Sequence, residues 1–82
     1  MSHYVYILQG LKDNKYYIGE THDVKERLLF HNQGKQRSTR YRTPFKIIFV
    51  EEVESKTVAL KREKQIKSWK GGSAFKNLIE GM

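Results

Sequence analysis

The chain contains no cysteine, so neither a disulfide framework nor a thiolate metal site can stabilise it. One proline and six glycines in 82 residues leave no composition for a proline-rich linker or a low-complexity tract. Long hydrophobic runs are missing as well. The longest, Tyr4 to Leu8, falls far short of the ~20 residues that a membrane-spanning helix requires. The opening Met-Ser-His-Tyr-Val-Tyr has no basic stretch leading into an apolar one, so no secretory signal is expected. Together with the missing cysteines, this makes a reducing cytoplasm the expected location. A chain this short buries roughly 60% of its unfolded surface and has no room for a separate substrate domain, so residues 1–82 are expected to form one domain.

Acidic residues are outnumbered in one part of the chain only. Residues 1–34 balance four basic side chains against four acidic ones, whereas residues 35–82 carry twelve and five, which accounts for the whole net charge of +7. A one-sided excess of this kind attracts polyanions. Its blander explanation is a solubilising surface. Membrane binding is not expected, because no segment pairs a basic helical face with one rich in Trp, Phe and Leu.

Tyr4-Val5-Tyr6-Ile7-Leu8 is aromatic and β-branched and predicts a buried strand. Lys12-Asp13-Asn14-Lys15 is turn chemistry, and Tyr16-Tyr17-Ile18-Gly19 returns as a second strand, giving an antiparallel hairpin. From Asp23 the period changes to 3.6, with Val24, Leu28 and His31 on one stripe. Asp23 is placed to cap this helix with Glu26 three residues on, and Gly34 to stop it. Lys35 to Pro44 reads as a basic loop, and Phe45 to Val50 as a third strand apolar enough to be central. Ser55 caps a second helix reaching about Trp69, Gly71-Gly72 ends it, and Ser73 caps a short third helix. The expected fold is α/β in the α+β sense: a small three-stranded antiparallel sheet flanked by helices in the order ββαβαα.

Some polar residues sit where apolar ones are due. Arg27 and His31 are i, i+4 neighbours bordering the Val24/Leu28 stripe, which fits a rim hydrogen-bonding pair or a held catalytic pair. On the second helix Val58, Ala59, Ile66 and Trp69 define an apolar arc that contains Arg62 and has Glu63 at its edge. Glu63 is the only acid among residues 56–70, set among Lys61, Arg62, Lys64, Lys67 and Lys70. A salt-bridged surface glutamate would look the same. A carboxylate among cations can equally hold Mg²⁺, which keeps its waters and needs only one or two protein carboxylates. Tyr4 and Tyr6 share one face of their strand, Tyr16 and Tyr17 point oppositely, and Gly19 permits close backbone approach. Packing alone would account for any one of the tyrosines.

The run Tyr4-Val5-Tyr6, then Tyr17-Ile18-Gly19, then Arg27, His31 and a later Glu63 resembles the GIY-YIG nuclease domain. The likeness is to its small standalone bacterial type, related to the excision-repair endonuclease domain, and it covers roughly residues 3–70. The supporting phrases are Tyr17-Ile18-Gly19-Glu20-Thr21, Glu26-Arg27-Leu28 through His31-Asn32-Gln33-Gly34-Lys35, and Ala59 to Lys67. The first half-motif departs from the family pattern as Tyr-Val-Tyr in place of Gly-Ile-Tyr, which keeps the tyrosine.

The resemblance implies a catalytic set of Tyr6, Tyr17, Arg27, His31 and Glu63, with Gly19 structural at the site. Tyr6 and Tyr17 would polarise or deprotonate the attacking water, and Arg27 would stabilise charge on the phosphate. His31 would assist proton transfer or hold the phosphate, and Glu63 would be the sole protein ligand of one Mg²⁺ or Mn²⁺ ion. The expected activity is hydrolysis of phosphodiester bonds in DNA, single-stranded or branched, in repair or recombination. DNA is expected in preference to RNA. Lys35, Arg37, Arg40, Tyr41, Arg42 and Lys46 are expected to grip the nucleic acid, the cations on phosphates and Tyr41 against a base. The alternative is a nucleic-acid-binding module with no catalysis or very weak catalysis.

Overall fold

The computed structural model describes residues 2–34 and 43–80. Strands β1 (His3–Gly10) and β2 (Tyr16–Thr21) form the expected antiparallel hairpin. Asp13 Oδ1 accepts a hydrogen bond from the Lys15 amide at 2.9 Å, and Asn14 takes a φ of 58°, a left-handed conformation that asparagine tolerates. Helix α1 (Val24–Asn32) starts at the predicted cap, where Asp23 Oδ1 accepts from the Glu26 amide at 3.0 Å. It ends just before Gly34, whose φ is 74°. Helix α2 (Lys56–Trp69) is capped by Ser55, whose hydroxyl accepts from the Val58 amide at 3.2 Å. Helix α3 (Ser73–Glu80) begins on Ser73 itself.

Strand β3 (Phe45–Val53) runs beyond the expected end at Val50 because β1 offers partners along its whole length, His3 pairing with Val53. Its place in the sheet also differs from expectation. The order is β2-β1-β3, all antiparallel, so β1 is central and β3 lies at an edge. The apolar character of Phe45 to Val50 reflects helices on both of its faces rather than strands on both of its sides.

Alternation along β1 divides the interior in two. Val5 and Ile7 pack with Ile18, Phe49, Ala59, Ile66 and Phe75 beneath α2 and α3. Tyr6 and Leu8 face the other way, toward Phe45, Tyr17, Leu28 and Ile47 beneath α1. A register shift against β3 between Ile7 and Leu8 lets Ile48 join the α2 side. The resulting α+β fold has its sheet between α1 on one face and α2 with α3 on the other. Arg62 is tolerated in the apolar arc of α2 because it is satisfied there. Its Nε and Nη2 donate to the two carboxylate oxygens of Glu51 at 2.9 and 3.1 Å, and its guanidinium stacks 5.3 Å from the Trp69 ring centroid.

One side chain ties the two ends of the basic segment together. Asn32 Oδ1 accepts from the Phe45 amide at 2.7 Å, and Asn32 Nδ2 donates to the Phe45 carbonyl at 3.3 Å. This joins the last residue of α1 to the first of β3. Asn32→Ala leaves the Phe45 backbone groups without these partners and is expected to lower unfolding free energy by about 1–3 kcal/mol, read from urea denaturation.

Candidate active site

The site is built around a close approach between two strands. Tyr6 on central β1 is the register partner of Gly19 on edge strand β2. Its ring lies over that glycine and aims the hydroxyl toward the open edge of the sheet. A Cβ built on Gly19 would stand 2.6 Å from Tyr6 Cζ and 3.1 Å from Cε2, with the hydroxyl oxygen closer still. Here glycine serves for space, and its φ is ordinary.

Helix α1 supplies the partners. The sequence places His31 at the margin of a buried stripe; the structure buries it completely, at 0% exposure. Its Nε2 lies 3.3 Å from the Tyr6 hydroxyl. The Tyr17 ring meets it edge-on with centroids 4.6 Å apart, and Phe45 and Phe30 close the nest at 5.8 and 6.1 Å. Burial, reinforced by the positive charge of Arg27, holds the His31 pKa down at about 4, so the ring is neutral at pH 7. Arg27 itself lies against the Phe30 ring, 5.3 Å from its centroid.

Tyr6 responds in the opposite direction. Burial pushes its pKa above the ordinary tyrosine range, Tyr17 adds to the rise, and the negative charges of Glu63 and Glu20 add further. Arg27 opposes them without prevailing. Tyr6 and His31 thus face each other as a neutral phenol and a neutral imidazole.

Glu63 arrives from the other side of the sheet, on α2. Its side chain is 19% exposed and accepts from Lys67 Nζ through Oε2 at 2.9 Å. Oε1 has no hydrogen-bond partner among the described residues. The structure therefore brings Tyr6, Tyr17 and His31 into contact over Gly19, with the charges of Arg27 and Glu63 both acting on the Tyr6 hydroxyl. Lys46 is exposed on β3, at the opposite edge from Gly19. Lys35, Arg37, Arg40, Tyr41 and Arg42 lie outside the described residues.

The sequence model of the GIY-YIG catalytic domain matches residues 2–76. The chain belongs to the GIY-YIG family. This is a nuclease family, and its members act on nucleic acid. The GIY-YIG relatives include UPF0213 proteins of Staphylococcus saprophyticus, 35% identical with 96% of each chain covered, and of Staphylococcus haemolyticus, 38% identical with 95% of each covered. A solution structure of a UPF0213 protein from Bacillus halodurans is 37% identical, covers 90% of each chain and has a TM-score of 0.48. Among the described residues no helix is long and apolar enough to cross a membrane.

GIY-YIG nucleases generally depend on a divalent metal, and Glu63 fits one. It offers hard oxygen donors, and Lys67 orients one oxygen while the other stays free of protein partners among the described residues. No group of three or more His, Cys, Asp or Glu side chains among the described residues forms a cage. An ion that keeps most of its waters needs no cage.

Two features escaped the reading of the sequence. Glu20 hydrogen-bonds to His3 and its charge reaches Tyr6, a role that its place directly after Gly19 could have signalled. The Tyr6–His31 contact spans 25 residues, and no local pattern announces it.

Gly19→Ala is expected to destabilise the protein by about 1–3 kcal/mol through overpacking, and to be largely neutral in a Tyr6→Ala background, as a double-mutant cycle of urea midpoints would show. His31 gives a pH signature. Its folded pKa of about 4 lies below the ordinary 6.5, so between those values the unfolded chain binds the extra proton. Stability is lost as pH falls through this window, by about 3 kcal/mol in full. The difference in unfolding free energy between the parent and His31→Phe should shrink by that order from pH 7 to pH 4.

Proposed function

We propose that this protein is a cytoplasmic, divalent-metal-dependent endonuclease that hydrolyses phosphodiester bonds in single-stranded or branched DNA, with a place in DNA repair or recombination. Residues 1–82 act as one domain. The observation that carries the reading is the Tyr6 hydroxyl, held over Gly19 at 3.3 Å from His31 Nε2, where the opposite charges of Arg27 and Glu63 both act.

Phosphodiester hydrolysis needs an activated water and neutralisation of charge building on the phosphate. Arg27 answers the second need, since its guanidinium is always charged. Tyr6 and Tyr17 orient the water. The contact with His31 Nε2, on a ring that burial keeps neutral, holds the Tyr6 hydroxyl in place for this. Glu63 would hold one Mg²⁺ or Mn²⁺ ion through a carboxylate oxygen, and such an ion supplies Lewis acidity at the phosphate and lowers the pKa of water. Glu63 by its own charge raises the Tyr6 pKa, a contribution that would be offset with a cation held there. The net charge of +7 and its confinement to residues 35–82 favour a polyanionic substrate.

The test is a cleavage panel of single-stranded, duplex, flap and RNA substrates with Mg²⁺, Mn²⁺ or EDTA. Cleavage of the single-stranded and flap DNA is expected, and only when Mg²⁺ or Mn²⁺ is present. Glu63→Ala and Arg27→Ala should each lower it by about 10²–10³-fold while circular dichroism stays unchanged. Two folded variants that cut as well as the parent would refute the site. Salt-sensitive binding without cleavage would leave a nucleic-acid-binding module in its place.

A further inference from the structure

A second concavity lies outside the tyrosine cluster. It is a cleft of about 730 Å³ between the hairpin turn and the junction of α2 with α3. Tyr16 faces it from β2, packed edge-on against Phe75 with ring centroids 5.0 Å apart. Ile79 extends this apolar floor. Three lysines stand around it, Lys15 on the hairpin turn, Lys70 at the end of α2 and Lys76 on α3, against one acid, Glu80. Lys70 is fixed by donating from Nζ to the Tyr16 carbonyl at 2.9 Å. Lys15 and Lys76 are exposed and make no ion pair among the described residues.

Helix α2 and strand β2 each link the cleft to the candidate active site. Glu63 and Lys67 lie one turn apart on α2, and Lys70 is the residue that caps the end of that helix. From Glu63 to the last helical residue, Trp69, the helix rises roughly 9 Å, so α2 leads from the carboxylate of the site toward the cleft. On β2 the two places are adjacent: Tyr17 packs against His31 on one face of the strand and Tyr16 lines the cleft on the other.

Resting on the nuclease reading above, we propose that this cleft is a binding subsite for a single strand of nucleic acid leaving the active site, its phosphates on Lys15, Lys70 and Lys76 and a base against Tyr16 and Ile79. An apolar, partly aromatic floor rimmed by cations suits one strand, because every base has a stacking face and every nucleotide a phosphate, whatever the sequence. A duplex offers no free base to such a floor. Lysine, a flexible point charge, takes phosphates without demanding a fixed geometry.

The experiment measures binding of a short fluorescein-labelled oligothymidylate by anisotropy, in EDTA so that no strand is cut, across a range of salt concentrations. Lys15→Ala/Lys76→Ala is compared with the parent and with Lys25→Ala/Lys56→Ala, which removes equal charge from exposed positions elsewhere. The cleft variant is expected to bind several-fold more weakly, with the slope of log K against log salt reduced by about 1.4, the single-strand increment for two lysines. The control pair should stay close to the parent. Amide chemical shifts of the parent, titrated with the same oligonucleotide, should move at Tyr16, Lys76 and Ile79. Equal losses in the two double variants would overturn the subsite, as would unmoved shifts in the cleft or a parent that binds no oligonucleotide at low salt. A parent that binds in this way yet cuts nothing would refute the nuclease and leave the subsite standing.

Discussion

The absence of a side chain at position 19 is the constraint on which the rest of the site depends. Tyr6 is anchored on the central strand, so its hydroxyl reaches the edge of the sheet only by passing over the neighbouring strand. With a Cβ in the way, the ring would have to leave its place, because Cζ would be met at 2.6 Å. The depth of His31, the edge-on contact of Tyr17 and the reach of Arg27 are all set relative to that ring.

The sheet edge has a further consequence. The two faces of a sheet are separate environments, and here they hold separate packed clusters. At an edge strand they meet. Arg27 comes from the helix over one face and Glu63 from the helix over the other, and both charges act on the same hydroxyl. Neither helix could present both groups, since one faces the tyrosine cluster and the other the apolar core on the opposite face. At rest the buried pair carries no charge. Burial keeps the phenol protonated and the imidazole neutral, while Arg27 and Glu63 are partly exposed.

Helix α2 shows how one element serves packing and electrostatics together. Ala59 and Ile66 are fully buried against the sheet, while Glu63 and Lys67 stand beside them and Lys70 caps the helix end. The lysine one turn beyond the glutamate orients its carboxylate, and the next one holds the carbonyl of Tyr16. Arg62, within the apolar arc, is neutralised by Glu51 and flattened on Trp69, so its charge serves packing.

Much of this protein was legible in the linear order of its residues. Local chemistry was sufficient for the hairpin, the Asp23 and Ser55 caps and the order ββαβαα, because turns, caps and periodicity act over a few residues. The resemblance carried by the half-motifs and by Arg27, His31 and Glu63 was sufficient for the family. The strand order was not legible: Phe45 to Val50 is as apolar as a central strand yet lies at an edge, since burial by helices and burial by strands leave the same composition. Nor was the complete burial of His31, its contact with Tyr6 or the opposing pKa directions of the pair. Desolvation and charge depend on distances through space between residues far apart in the chain. Those distances exist only once the sheet and its two helical layers have closed around them.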